Sequence, residues 1–453
     1  MKKDYLEMMR KGDALSFSHL IAMTVRLSIP TVLAQISFIL MEYVDASMVG
    51  KLGANASAAI GLVSSSTWLF GGLISAATVG FSVQVSHRIG ADDAASARTV
   101  MRRGLFATLV FSALLMAVGV AIHRRLPVWL GGESGVLQDA SRYFLVFALS
   151  LPFNQLNNFA AGMLQSSGNM KTPGFLETLM CLLNVGFNYL FIYRLGLGVT
   201  GAALGTATAE LVTAVPMAVA LLVRSPLLHL RRGEKRSQEE NTLKRAVKIA
   251  LPVAAEQVIM CSAYIMSTRI VAPLGSVAVA AHSLAITAES LCYMPGYGIG
   301  TAATTVIGQS IGAKRFDLKR RLAYITTFFG MAMMAVSGAA MYGLAPVMMR
   351  LLTPVPEIAA LGVAVLRIEA FAEPMYAASI VASGVFRGAG DTFIPSCMNL
   401  LSMWGVRIPL SAFLAGRYGL QGVWIAMCAE LCFRGTIFLI RLIVKNRKID
   451  NEE

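Results

Sequence analysis

The chain alternates between long apolar runs and short polar segments, and most of the apolar runs are about 20 residues or longer. An α-helix rises about 1.5 Å per residue, so a run of this length crosses a hydrocarbon core of roughly 30 Å. The pattern predicts twelve membrane-spanning helices, at 21–49, 56–86, 100–122, 138–165, 172–194, 199–223, 246–271, 278–309, 322–344, 358–386, 393–415 and 421–444. The predicted fold class is therefore an all-α integral membrane protein.

Composition excludes the main alternatives to a membrane protein. Hydrophobic residues make up 56% of the 453 residues, charged residues only 14%, and the mean hydropathy is +0.64. An ordinary soluble domain is far more polar, and a disordered chain combines low hydrophobicity with high net charge. The six cysteines all lie in predicted spans without CxxC spacing, so we expect neither disulfides nor a zinc site.

The distribution of basic residues predicts the orientation of the chain. The formal net charge is +14, and Lys and Arg concentrate on alternate loops, with 28 on the side of the N-terminus and 6 on the other. Because cytoplasmic loops carry the excess of Lys and Arg, both termini are predicted to be cytoplasmic. The basic charge is explained by topology, so we expect a lipid bilayer and no nucleic acid as the partner.

The second half of the chain repeats the first at an offset of 222 positions. The shift aligns Pro and Gly residues that chance similarity between apolar segments would not match. The aligned pairs are Pro30 with Pro252, Gln35 with Gln257, Gly53 with Gly275, Ala59 with Ala281, Gly90 with Gly312, Gly162 with Gly384, Gly168 with Gly390 and Pro173 with Pro395. Near the end of each half, Glu210 aligns with Glu430 after small insertions or deletions.

The repeat predicts two pseudo-symmetric lobes of six helices each. We expect an N-lobe at 1–223, a cytoplasmic linker at 224–248 and a C-lobe at 249–453. An even number of spans per lobe gives both lobes the same orientation, related by an axis along the membrane normal, as in many secondary transporters. No P-loop motif is present, so ATP-driven transport by this chain is not expected.

Acidic residues inside the predicted spans are the candidates for function, because a charge in the bilayer is costly and usually faces the bundle interior. Nine Asp or Glu residues lie there: Glu42, Asp45, Glu177, Glu210, Glu256, Glu289, Glu369, Glu373 and Glu430. Glu42 and Asp45 share one helix face, as do Glu369 and Glu373. Two close carboxylates in a low dielectric cannot both stay ionised without a cation, so such pairs predict a proton or sodium site. Arg434, four residues after Glu430, makes an internal ion pair an alternative role for that acid.

Several segments resemble signatures of multidrug and toxic compound extrusion (MATE) transporters. They are Val44-Asp45-Ala46-Ser47-Met48-Val49-Gly50-Lys51-Leu52-Gly53 at the end of the first span, Leu251-Pro252 with Val271-Ala272-Pro273-Leu274-Gly275 and Ala280-Ala281-His282, Gly308-Gln309-Ser310-Ile311-Gly312-Ala313, and Arg387-Gly388-Ala389-Gly390-Asp391-Thr392. The likeness extends from about Ile29 to Leu442 and follows the family's order of helices.

The resemblance implies a V-shaped pair of lobes around a central cavity, and a secondary active antiporter that exports organic cations or drugs in exchange for protons or sodium. Asp45 matches the family's first-helix aspartate, which binds the coupling cation, and Na⁺ at Asp45 is one form of this expectation. Asn188 stands where some branches have a fifth-helix aspartate. Glu256 lies one turn from the position of a seventh-helix glutamate found in other branches, and that position is Met260 here.

The candidate residues divide into two groups. The predicted cation-coupling residues are Asp45, Glu42, Asn188 and Glu256, and the predicted substrate-cavity residues are Gln35, Glu289, Glu369, Glu373 and Asn184. We expect no catalytic residue, no cofactor and no resident metal. The expected driving force is a proton or sodium gradient. We further expect a multi-pass protein of the cell (inner) membrane, with small organic cations as ligands and a monomeric state.

One alternative within transporters is a flippase for lipid-linked oligosaccharides or precursors, which belongs to the same wider superfamily. Such a protein needs a cavity rich in arginine for phosphate. Five arginines inside the predicted spans keep this alternative open, namely Arg142, Arg269, Arg367, Arg407 and Arg434. A membrane-embedded enzyme or a channel accounts for neither the repeat nor the family signatures.

Overall fold

The computed structural model describes residues 5–11, 14–231 and 241–450, apart from the side chains of residues 5 and 448–450. This part of the chain is almost entirely helical and contains no strand. The helices are α1 (Tyr5–Arg10), α2 (Phe17–Gly50), α3 (Ala54–Gly90), α4 (Ala94–Ile122), α5 (Leu126–Trp129), α6 (Ser134–Ser166), α7 (Lys171–Asn188), α8 (Gly198–Val219), α9 (Thr242–Val271), α10 (Ser276–Gly312), α11 (Phe316–Leu352), α12 (Pro356–Glu369), α13 (Glu373–Gly388), α14 (Phe393–Ser402) and α15 (Ile408–Asp450).

All twelve predicted spans are helical. α7, α8 and α14 each continue into a π-helical segment, at Tyr189–Arg194, Ala220–Arg224 and Met403–Arg407. The predicted tenth span is broken between α12 and α13, directly before Pro374, which has no amide hydrogen to donate. The last two spans are joined through α15, whose backbone leaves the helical conformation at Gly419, with φ 57° and ψ −139°.

Several helices present large apolar side chains on the outside, as a bilayer requires. Examples are Phe106, Val336 and Leu351, whose exposed fractions are 74%, 72% and 82%. Nine helical segments among the described residues are long and apolar enough to cross a membrane by themselves. α6 is not among the nine, because its second half carries Asn154, Gln155 and two further asparagines.

The backbone repeats at the same offset as the sequence. Gly53 and Gly275 both have positive φ, 113° and 96°, where the chain turns between two long helices. Gly168 and Gly390 repeat this at a second turn, with φ of 91° and 78°. A residue with a Cβ rarely adopts such angles, so the turns explain why glycine occupies both copies.

Helix packing repeats as well. In the second half, a Cβ on Gly384 of α13 would lie 2.4 Å from the Gly300 carbonyl oxygen of α10, so these helices approach at backbone distance. In the first half, a Cβ on Gly162 of α6 would lie 2.8 Å from the Thr78 methyl group of α3. Gly162 and Thr78 are the residues 222 positions earlier. Small residues at such crossings are typical of membrane helix pairs, which pack by close contact.

The contacts divide the chain into two compact units. Unit 1 contains Met1–Gln35 and Ala255–Glu453, and unit 2 contains Ile36–Ala254. Both boundaries lie inside long helices, α2 and α9, and not in the predicted linker at 224–248, whose central residues 232–240 lie outside the described residues. The predicted lobe boundaries at 223 and 249, drawn from the sequence repeat, stay a prediction.

Polar contacts of α2 and α9 lie before the unit boundary in each helix. In unit 1, the Thr31 hydroxyl of α2 donates to the Gly298 carbonyl of α10 at 2.9 Å. In unit 2, the Gln84 amide of α3 donates to the Thr242 carbonyl of α9 at 3.2 Å, and Arg103 donates to the Thr242 hydroxyl at 3.1 Å. Each helix therefore begins in one unit and ends in the other.

Ion pairs stabilise the turn at Asp391 in the second half, whereas the corresponding turn at Asn169 in the first half is stabilised by a neutral side chain. Arg441 and Lys445 of α15 each approach Asp391 Oδ2 to 2.5 Å. Burial of the Asp391 carboxyl raises its pKa, but the hydrogen bonds and charges of Lys445 and Arg441 outweigh burial and leave the pKa below 3.8. Asn169, 222 positions earlier, accepts a hydrogen bond from the Thr172 amide at 3.1 Å instead.

We expect Asp391→Asn to lower the Tm of the purified protein by a few degrees at neutral pH. A depressed pKa stabilises the fold above the carboxyl's ordinary value, and this stabilisation is lost as the pH falls through the depressed value. The difference in Tm between variant and wild type should therefore disappear in strong acid, where the wild type also carries a neutral side chain. Thermal unfolding followed across pH measures this, and an equal difference at every pH would contradict the ion-pair explanation.

Candidate functional site

A hydrogen-bonded network in unit 2 surrounds the Asp45 carboxyl. The Asn188 amide nitrogen donates to Asp45 Oδ1 at 2.7 Å and to Asn184 Oδ1 at 3.0 Å. The Asn184 nitrogen in turn donates to the Thr206 hydroxyl of α8 at 2.9 Å. Asn184 and Asn188 are completely buried, whereas Asp45 is half-buried. Three helices, α2, α7 and α8, therefore supply one continuous polar network.

The asparagines are placed by helix periodicity and by a glycine that leaves room for one of them. Asn184 and Asn188 are four residues apart at the end of α7, so both point to the same side. A Cβ on Gly205 of α8 would lie only 1.8 Å from Asn188 Oδ1, so that oxygen rests against the α8 backbone. The Asn188 oxygen is buried and has no hydrogen-bond donor.

The network can accept a small cation. The groups that hydrogen-bond to the Asp45 carboxyl are neutral amides. Carboxylate, amide and hydroxyl oxygens are the ligands that hard cations prefer. Rotation of the Asn188 amide would turn its unpaired oxygen toward Asp45 and its nitrogen away. The same carboxyl can instead take a proton and keep its hydrogen bond to Asn188.

Asp45 and Asn188, predicted as cation-coupling residues, and Asn184, predicted as a substrate-cavity residue, lie in one hydrogen-bonded network, and their roles stay predictions. Thr206 and Gly205 were not found, because a threonine and a glycine within an apolar helix give no sequence signal. Glu42 lies one turn before Asp45, is half-buried and lies within electrostatic range of it. Gln35, the last residue of the first segment of unit 1, is half-buried.

We expect Gly205→Ala to disrupt the Asp45 network without unfolding the protein. The new methyl group requires Asn188 to move, and such overpacking costs about 1–3 kcal/mol. Cation binding at the Asp45 carboxyl should weaken sharply in the variant. Gly186→Ala is the matched control, because a Cβ there meets no atom within 4 Å. Equal cation binding by both purified variants would show that the position of Asn188 is unimportant.

Glu256 belongs to unit 1, whereas Asp45 belongs to unit 2. Ser396 donates to Glu256 Oε2 at 2.6 Å, and Asn399 donates to Oε1 at 2.7 Å. Both partners are neutral side chains on α14, so unit 1 also has a carboxyl surrounded by uncharged donors. Asn399 and Ser396 were not singled out from sequence, although Asn399 aligns with the acidic Glu177 at the repeat offset.

A second group of acids in unit 1 is more deeply buried. Glu289, Glu369 and Glu373 are 2%, 0% and 1% exposed. None of the four carboxyl oxygens of Glu369 and Glu373 accepts a hydrogen bond. Glu289 and Glu373 lie within electrostatic range of Glu369, and so does Arg407. The three acids were predicted to line a substrate cavity, and this stays a prediction.

The five span arginines have different individual environments. Arg142, Arg269 and Arg367 are exposed, and Arg367 lies over the Tyr342 ring at 5.2 Å. Arg434 is buried in an ion pair with Glu430, with 2.9 Å between Nε and Oε1. Arg407 is buried next to the Met427 sulfur. Because Glu430 neutralises Arg434, this arginine is not available to bind a phosphate group.

The family comparison agrees with this architecture. The MatE family model matches residues 30–190 and 252–413, so its two matches begin 222 positions apart, as the repeat does. The chain belongs to the MatE family. The family comprises transporters, and the match covers both halves of this chain, including the helices that carry Asp45, Asn188 and Glu256.

Relatives of known name and solved structures extend the match over nearly the whole chain. A Pseudomonas aeruginosa protein named "Probable multidrug resistance protein NorM" is 31% identical, over 90% of this chain and 86% of its own length. A Thermotoga maritima protein of the same name is 24% identical, over 92% and 90%. A solved MOP superfamily transporter from Pyrococcus furiosus has a TM-score of 0.91 at 21% identity, covering 99% of this chain and all of its own.

These findings confirm the predicted family and the predicted fold class. This MatE chain is an all-α, multi-pass membrane protein of twelve transmembrane helices in two six-helix lobes, and it is a multidrug-type transporter.

Proposed function

We propose that this MatE transporter is a secondary active antiporter that exports organic cations or drugs in exchange for protons or sodium by alternating access. It would act as a monomer in the cell (inner) membrane, with both termini cytoplasmic. The positive-inside distribution of Lys and Arg supports the orientation. Names of multidrug resistance proteins among the relatives support drugs as the substrate class.

The observation that carries the proposal is the environment of Asp45. Its carboxyl is bonded to the neutral Asn188 amide, which also bonds to Asn184. A half-buried carboxylate with only neutral partners gains more from a proton or a sodium ion than an exposed one does, because water compensates its charge less well. The site is therefore suited to bind and release the coupling cation.

Binding of the cation would change the relative free energies of the transporter's conformations. A ligand shifts such an equilibrium only by the difference between its affinities for the two states. The hydrogen bonds of Asn188 and Asn184 connect α2 to α7 and α8, so neutralising Asp45 alters a contact among three helices. Glu42, one turn away, would strengthen cation attraction at the same place.

The test is drug accumulation in cells. We expect cells that express the chain to accumulate less of a fluorescent organic cation than cells with an empty vector, because carboxylates in the transport path favour cations. Dissipating the ion gradients with an ionophore should restore accumulation. Unchanged accumulation across a broad panel of dyes and drugs, together with build-up of a lipid-linked precursor in a deletion strain, would contradict the proposal and support a flippase.

A further inference from the structure

A second buried carboxyl in unit 2, that of Glu210, has an environment that the Asp45 network does not explain. Glu210 lies in the middle of α8 and is 8% exposed. The Asn154 amide of α6 donates to Glu210 Oε1 at 2.6 Å, and Asn157 donates to the Glu210 backbone carbonyl at 2.8 Å. Ser150, on the same helix, donates its hydroxyl to the Phe147 carbonyl.

Two oxygens at this place are buried and unpaired. Glu210 Oε2 accepts no hydrogen bond while Ser150 donates to Phe147, although Ser150 lies close enough to turn its hydroxyl to the carboxyl, and Asn157 Oδ1 accepts none. Asn157 also donates to the Thr213 hydroxyl at 3.3 Å. One turn of α8 thus supplies a carboxylate oxygen from Glu210 and a hydroxyl from Thr213. The neighbouring part of α6 supplies the amide oxygen of Asn157. A buried acceptor without a donor is costly, and a proton or a cation removes that cost.

The internal repeat allows Glu210 to be compared with a buried acid at the corresponding position that has a basic partner. Glu430, the counterpart of Glu210, is paired with Arg434 one turn later, and Arg434 lies over the Tyr376 ring at 5.4 Å. In unit 2, Ala214 takes the place of Arg434, and Asn154 takes the place of Tyr376. The same carboxyl is therefore neutralised by a fixed arginine in one unit and has no such partner in the other.

The charged and titratable groups around Glu210 do not replace the arginine. Tyr143 of α6 lies within electrostatic range of Glu210, Glu42 and Asp45. A phenol does not supply positive charge. The other such groups on the elements packed against or continuous with α8 are Asp139 and Arg142 of α6, Lys171, Glu177 and Cys181 of α7, His87 and Arg88 of α3, and Tyr189, Tyr193, Arg194 and Arg224 of the π-helical segments.

We propose that Glu210, with Asn154 and Asn157, forms a second exchangeable cation site in unit 2, distinct from Asp45. The ligand is a proton or a small monovalent cation such as Na⁺. Asn154 and Asn157 are only half-buried, so the site is not sealed by them. A role of this site in transport rests on the proposed antiport. Cation binding at Glu210 is independent of that proposal. If both carboxyls exchange, one cycle moves two cations through unit 2.

The test counts cations released by the purified full-length protein. After a rapid rise in pH without sodium, a pH indicator should report one proton fewer per protein for Glu210→Gln than for wild type. Asp45→Asn should also release one proton fewer per protein, and the double variant two fewer. Glu210→Asp should release as many protons as the wild type. Adding Na⁺ at constant pH distinguishes sodium exchange from protonation alone, because only exchange releases protons.

Two results would overturn the proposal. Equal proton release by wild type and Glu210→Gln, in both the pH and the Na⁺ arm, would mean that Glu210 keeps one protonation state. The second result is reduced proton release in both Glu210→Gln and Glu210→Asp, when both variants elute as folded protein. It would show that the Glu210 carboxyl acts only through packing. Failure of Asp45→Asn to alter transport would contradict the proposed antiport and leave the Glu210 count intact.

Discussion

Asp45→Asn is expected to reduce gradient-driven export to the level of protein-free vesicles while leaving expression and membrane insertion unchanged. Asparagine is nearly the same size as aspartate and still accepts a hydrogen bond from Asn188, which donates at 2.7 Å in the wild type. What the variant loses is the negative charge that binds a proton or sodium ion. Because only differential binding shifts a conformational equilibrium, the gradient would no longer drive the cycle.

Two comparisons make this result specific. Glu42→Gln should weaken export without abolishing it, because Glu42 lies within electrostatic range of Asp45 but outside the hydrogen-bonded network. Substrate binding by Asp45→Asn, measured by fluorescence anisotropy of a cationic dye, should persist. Normal export by Asp45→Asn under both proton and sodium gradients would move the coupling site to the unit 1 acids, namely Glu256, Glu289, Glu369 and Glu373.

Glu430→Gln is expected to act on stability, with a loss of about 3 kcal/mol, because removing one partner of a buried ion pair leaves an uncompensated charge. Glu430 is completely buried, Arg434 is 6% exposed, and Ser402 donates to Glu430 Oε1 at 2.5 Å. The variant should show a clearly lower Tm and less folded protein in size-exclusion chromatography. The fraction that remains folded should transport normally.

The double variant Glu430→Gln/Arg434→Met is the control for this effect. Replacing both members of a buried pair by uncharged side chains of similar size is often neutral, so the double variant should recover most of the Tm. The matched single variant Glu210→Gln should lower the Tm little, since it leaves no buried arginine behind. A loss of transport at normal Tm in Glu430→Gln would assign that carboxyl a direct role.

The sequence was sufficient to predict the spans, because the length of an apolar run and the thickness of a bilayer decide them together. It also predicted the repeat, which the structure reproduces in the positive φ angles of Gly53 and Gly275 and in the contacts of Gly162 and Gly384. Asp45 was recognisable because acidic side chains in membrane helices are rare and costly, whereas Asn188 was singled out through the resemblance to MATE transporters.

Other features depend on three-dimensional packing and were not predictable. Gly205 makes room for Asn188 across a helix interface, and its sequence neighbours do not indicate this. The sequence also gives no sign of the contacts that Thr31 and Thr242 make before the unit boundaries in α2 and α9. The sequence indicated the Glu430–Arg434 ion pair as one alternative, which the structure shows, but it did not indicate that Asn154 and Asn157 contact Glu210.

The central claim is that a cation gradient drives export through the Asp45 site. Its most direct test is substrate flux in proteoliposomes that contain the purified wild-type protein or Asp45→Asn, with proton and sodium gradients imposed separately against a panel of organic cations. The account predicts uphill movement of at least one organic cation by the wild type under one of the two gradients, and no such movement by Asp45→Asn. Equal uphill flux by both proteins, or flux by the wild type that neither gradient alters, would contradict it.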